Sequence, residues 1–92
     1  MHWVELVQIF TVDAVPAEFR GFVDFQANVE GKELTGGERV AVLRVEGTGC
    51  YIPVFIDDLT DIESLERRLE AQEARMTVRT KEDVLRFMGE RH

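Results

Sequence analysis

Four carboxylates crowd one short stretch of this chain: Asp57, Asp58, Asp61 and Glu63. Clustered carboxylate oxygens suit a hard divalent cation, and two of them can hold Mg²⁺ against a phosphate. The chemistry they offer is metal-dependent hydrolysis. Their spacing lacks the glycine turn of an EF-hand loop. The same residues sit where a helix must begin, and acidic side chains in a first turn complement the helix dipole. The plainer reading is electrostatic support of that helix.

Other reactive groups are sparse. Ser64 is the only serine, Cys50 the only cysteine, and His2 and His92 stand at the two ends. A Ser-His-Asp arrangement would need Ser64 beside one of those ends. A structural zinc site takes about four Cys or His ligands, and the chain offers three. Cys50 has no cation or helix start nearby to activate it, so it reads as a buried or half-buried structural thiol. Thr35-Gly36-Gly37 could cradle a phosphate through its amides, but no Lys-Ser/Thr pair or helix follows. Glu66, Glu70 and Glu73 form an acidic helical stripe, with Glu63–Arg67 as a favourable i,i+4 pair. That stripe is either a solvated face or a surface for a basic partner. No catalytic residue, cofactor or metal emerges beyond the four carboxylates.

The charge balance narrows the partners. Eighteen acidic residues outweigh eleven basic ones, for a net charge of −7 in 92 residues. Nine of the eleven cations are Arg, and the charge divides as −4 up to Ile56 and −3 after it. Without a basic cluster, nucleic acid is a poor partner. No apolar run spans a bilayer. The start, Met-His-Trp-Val-Glu, has no basic leader. These features predict a cytoplasmic protein bound to neither nucleic acid nor membrane. The lone cysteine fits a reducing compartment. Asn28 is the only asparagine beside three glutamines. Few amides among many charges suits a heat-tolerant protein, and a GC-rich genome would give the same bias.

The elements that must position these groups follow from periodicity. Residues 2–12 predict a strand with apolar groups on both faces: Val4, Leu6, Phe10 and Val12 on one, with Gln8 interrupting, and Trp3, Val7 and Ile9 on the other. Pro16 starts a short helical turn to Gly21. Residues 22–30 alternate strictly, Val23, Phe25, Ala27 and Val29 against Asp24, Gln26, Asn28 and Glu30, and predict a half-buried strand. Residues 38–46 and 50–56 predict a hairpin through Gly47-Thr48-Gly49, with Pro53 marking an edge or a bulge. Thr60 and Glu63 predict a capping box for a helix over 61–74, carrying Ile62, Leu65 and Leu69 inward. Residues 75–79 predict a short strand. Thr80 caps a second helix over 81–90, with Val84, Leu85, Phe87 and Met88 apolar and Gly89 at its end.

The order β-β-β-β-α-β-α is α+β: one domain over residues 1–92, with a four- to five-stranded, mostly antiparallel sheet packed by two helices. Gly21, Gly31 and Gly37 would allow a curled half-barrel instead. Trp3 lies either under a helix or at an interface, where aromatic anchors concentrate. A two-sided first strand and a Pro-marked edge point to a homodimer or another protein as partner, with Trp3, Val7, Ile9, Tyr51 and Phe55 as interface candidates.

Two resemblances rest on these stretches. With FRGFVDFQANVEGKEL followed by ERVAVLRVEGTGCYIPVFID, the chain resembles a small uncharacterised family of methanogenic archaea, a domain of unknown function. The resemblance implies no known activity and suits a heat-tolerant composition. The hairpin VAVLRVEGTGCYIPVFID, Val40 to Asp57, is also similar to the signature hairpin of the bifunctional nuclease domain family. That likeness implies kinship of fold and carries over no catalytic residue. The sequence thus predicts a non-enzymatic interaction or assembly module, with metal-dependent hydrolysis and small-ligand regulation as the alternatives.

Overall fold

The computed structural model describes residues 2–56 and 62–89. The chain runs β1 (His2–Thr11), α1 (Ala17–Glu30), β2 (Arg39–Val45), β3 (Cys50–Phe55), α2 (Ile62–Ala71), β4 (Ala74–Met76) and α3 (Val78–Gly89), with one 3-10 turn at Val12–Ala14. The four strands form one sheet in the order β3-β2-β1-β4. The β1–β2 and β2–β3 pairs are antiparallel, while β4 lies parallel to β1. The fold is α+β with a mixed sheet and three helices.

The third helix is the main correction. Residues 22–30 belong to α1 and not to a strand. Phe19, Val23 and Ala27 recur every four residues and are buried together, which is helical spacing. Pro16 precedes the first turn with φ −58°. Gly31 ends the helix at φ 67°, a left-handed position that glycine takes without penalty. Its amide meets the Asn28 carbonyl at 3.2 Å and the Lys32 amide meets the Ala27 carbonyl at 2.8 Å. Those two bonds make a Schellman cap. Two i,i+4 pairs, Arg20–Asp24 at 3.1 Å and Gln26–Glu30 at 2.9 Å, form only on a helix. Gly21 and Gly31 therefore serve this helix rather than bending strands.

The hairpin forms as its alternation predicts, and Pro53 lies on the outer strand of the sheet. In β1, Leu6 pairs with Leu43 and Gln8 with Val42, leaving Val7 as the extra residue of a bulge. A bulge reverses which face later side chains take. Val4 and Leu6 join one core while Phe10 and Val12 join the other. The predicted common face for all four does not form, and Gln8 interrupts nothing.

Each face of the sheet carries its own core. On one, Val4, Leu43, Val45, Ile52 and Val54 pack with Leu65 and Leu69 of α2 and Val84 of α3. On the other, Val12, Val40 and Phe55 pack with Val23 and Ala27 of α1. The helix predicted over 61–74 spans Ile62–Ala71, and a turn through Glu73 at φ 58° leads into β4. The last helix starts earlier than predicted. Thr77 caps it, its Oγ accepting the Thr80 amide at 3.1 Å. Thr80 is buried instead, donating its hydroxyl to the Val4 carbonyl at 3.1 Å and tying α3 to β1. The predicted Thr60 cap lies outside the described residues. Among the described residues, no helix is long and apolar enough to cross a membrane.

Candidate functional site

The α1 side of the sheet is only half covered. Strand register places Glu5 opposite Arg44, Arg44 opposite Tyr51, and Trp3 beside Arg75. Directly paired residues share a face. Helix α1 covers the Val12–Val40–Phe55 end of that face. The end nearer the hairpin turn stays open, and Trp3 keeps 47% of its surface exposed. Glu5 and Arg44 form an ion pair there. Tyr51 is half-buried because two rings of α1 stand edge-on to it, Phe19 at 4.8 Å and Phe22 at 5.5 Å between centroids. Phe19 also meets Phe10 at 6.1 Å.

That aromatic cluster leads outward onto α1. Phe22, Phe25 and Val29 lie at i, i+3 and i+7 and form one helical stripe beside the buried one. Phe25 is 68% and Val29 63% exposed. Helix α1 is thus apolar over a wide arc and buries only part of it. Single exposed apolar residues need no explanation, but Tyr51, Phe22, Phe25 and Val29 adjoin one another from β3 along α1, while the Glu5–Arg44 pair separates them from Trp3. Trp, Tyr and Arg, all present here, are the residues that dominate interface energetics.

Of the predicted interface residues, Trp3 and Tyr51 belong to this surface. Val7 is exposed at the bulge and Ile9 is half-buried. Phe55 is a correction. It is fully buried against α1, with the Lys32 ammonium 5.4 Å from its ring centre. Phe22, Phe25 and Val29 were missed because strand alternation sends Phe25 and Val29 inward with Val23 and Ala27. The 3.6-residue spacing of Phe19, Val23 and Ala27, bounded by Pro16 and Gly31, is the signal that finds them.

Asp57, Asp58 and Asp61 lie outside the described residues, and Glu63 sits in the first turn of α2. Among the described residues, no three His, Cys, Asp or Glu side chains are grouped to hold a metal. Arg67 reaches Ser64 at 3.4 Å rather than Glu63. Cys50 is exposed, not packed as predicted, because it opens β3 at the hairpin turn. Glu66 of the acidic stripe pairs with Lys81.

The Thr35-Gly36-Gly37 amides are already occupied. The Glu38 carboxylate accepts from the Thr35 amide at 2.8 Å and the Gly36 amide at 2.9 Å. The Thr35 amide, then Glu38's own amide, and further the Gly36 amide and Thr35 hydroxyl hold its pKa down, to about 2. The loop's anion-binding capacity serves the chain's own side chain. A cleft of about 310 Å³ beside β4 is lined by Trp3, Glu66, Leu69, Glu70, Arg75 and Lys81.

A family model described as a domain of unknown function, DUF749, matches residues 2–88, from β1 to the last turn of α3. The chain belongs to the DUF749 family. The chain is similar to the uncharacterised protein MJ0858 of Methanocaldococcus jannaschii, at 29% identity over 84 residues, covering 90% of this chain and 74% of the relative. The methanogenic source of that relative agrees with the sequence resemblance. No solved structure matches this DUF749 chain.

Proposed function

We propose that this DUF749 chain is a non-enzymatic protein-interaction and assembly module, which pairs as a homodimer and docks a further protein on α1. The exposed stripe of Phe22, Phe25 and Val29 carries this reading. An apolar helix face at i, i+3, i+7 is the anchor pattern by which helices enter protein grooves. The flanking charge favours a partner of opposite sign. Glu18 lies one turn before Phe22 on the same face, and the chain as a whole is at −7. The partner surface is therefore an apolar groove rimmed by Lys or Arg, which the acidic field also steers.

Affinity capture with wild-type and Phe25→Glu baits tests this reading. Phe25 is exposed, so the substitution leaves folding intact. A partner held by wild type and lost by Phe25→Glu supports the docking role. Partners retained equally by both baits overturn it. Light scattering at micromolar concentration tests the homodimer, which a strict monomer removes.

A further inference from the structure

The sheet has three stretches of outer edge, and they differ in how they are protected. The β3 edge carries Pro53, which cannot donate to a neighbouring strand. The β4 edge is only three residues long, Ala74–Met76. The third stretch belongs to β1. Strand β4 pairs with His2, Trp3 and Val4, and among the described residues no strand lies beside the rest of that ten-residue strand on its outer side.

Hydrogen-bond alternation identifies the groups that face outward. The Val12 amide donates to the Glu38 carbonyl at 2.8 Å, on the β2 side. In an antiparallel ladder the inward-bonding residues then alternate, so Phe10 and Gln8 also turn to β2. Ile9 and Thr11 turn their amides and carbonyls outward. The outward Val4 carbonyl is capped by the Thr80 hydroxyl. Among the described residues, those of Ile9 and Thr11 have no such cap. The segment Leu6-Val7-Gln8-Ile9-Phe10-Thr11 contains no charge, no proline and no glycine, in a chain that is 32% charged. Exposed edges ordinarily carry Lys, Pro or a bulge to prevent pairing, and here the Val7 bulge interrupts the edge between Leu6 and Gln8 and leaves Ile9–Thr11 as its regular stretch.

We infer that the outer edge of β1 at Ile9–Thr11 pairs antiparallel with the same edge of a second copy and joins two four-stranded sheets into one of eight strands. This rests on the self-assembly part of the proposed function and names its surface. A two-fold axis near Phe10 makes the edge its own complement, since the outward amide and carbonyl of Ile9 then meet those of Thr11 in the identical strand. A second copy also suits the side chains: two uncharged segments meet, whereas the acidic partner-docking rim of α1 would repel itself. Pairing at β1 leaves the α1 stripe free for its other partner.

Thr11→Pro is the decisive variant. Thr11 already has φ −77°, within reach of proline, and its amide is not used by β2. The fold is therefore kept while one outward donor is removed from each copy. Light scattering and sedimentation should show wild type dimeric at micromolar concentration and Thr11→Pro dissociating at about tenfold or more higher concentration. Amide exchange should show Ile9 and Thr11 protected only as concentration rises. A wild-type monomer overturns the inference. So does a dimer in which those two amides exchange freely, or protection that appears only with an added extended peptide. Dimerisation lost in Phe25→Glu but kept in Thr11→Pro overturns the edge and leaves self-assembly standing, through α1.

Discussion

Two polar side chains hold joints that apolar packing leaves open. Glu38 fastens the loop before β2 by accepting the Thr35 and Gly36 amides. Its pKa falls from 4.5 to about 2. A carboxyl depressed by folding stabilises the native state above its unfolded pKa, and that contribution is lost as pH falls through the folded value. The Glu38 contribution is thus complete above about pH 5 and disappears between there and pH 2. Thermal melts should show Glu38→Gln less stable than wild type at neutral pH, with the two converging near pH 2. Equal melting temperatures at pH 7 would contradict this. Thr80 is the second joint. Its hydroxyl donates to Val4 and accepts from Thr77, whose oxygens lie 2.8 Å apart. Thr80→Val keeps the shape and strands a buried carbonyl, a cost of about 1–3 kcal/mol. Denaturant unfolding should read that loss, whereas a neutral substitution would mean that Val4 finds another donor.

At the scale of elements, α1 offers the sharpest contrast. Gly21 lies within the helix, where an added methyl meets nothing within 4 Å. Gly21→Ala should therefore stabilise the protein by about 0.5–1 kcal/mol. Gly31 sits at φ 67°, and Gly31→Ala should destabilise it by about 1 kcal/mol. Opposite signs in chemical denaturation confirm the cap, and equal signs reject it. The hairpin, with Pro53 on an edge strand, and the two C-terminal helices were legible because their periodicities agree with their turn residues. Phe22–Glu30 satisfies a period of two and a period of 3.6 at once, and β-favouring Phe and Val weighted the wrong one. Since the stripe follows from that choice, only its sheet-borne neighbours, Trp3 and Tyr51, were legible as surface. Parallel pairing of β4 with β1 is a long-range contact that no local pattern records.

For the molecule as a whole, one strand has to serve two cores. Strand β1 enters with Val4 and Leu6 facing α2 and α3, and leaves with Phe10 and Val12 facing α1. Both ends are buried, so both registers are strongly specified, and an unbroken alternation cannot satisfy them across Leu6–Phe10. Val7 absorbs the mismatch as the extra residue. Partner pairing resumes without a gap around it, Leu6 with Leu43 and Gln8 with Val42. Deleting Val7 therefore closes the bulge and leaves every flanking side chain on its present face. The deletion mutant should unfold in one cooperative transition and retain the protection of core amides on both faces. Deleting Ile9 also closes the bulge, but it brings Gln8 opposite Ala41, toward α3, and puts an amide side chain where Ile9 is half-buried. That costs more, because a buried polar group needs a partner that the apolar face does not supply. Unfolding of the Val7 deletion at the same denaturant concentration as the Ile9 deletion, or below it, would show that the bulge itself is required, and not merely the two registers it reconciles.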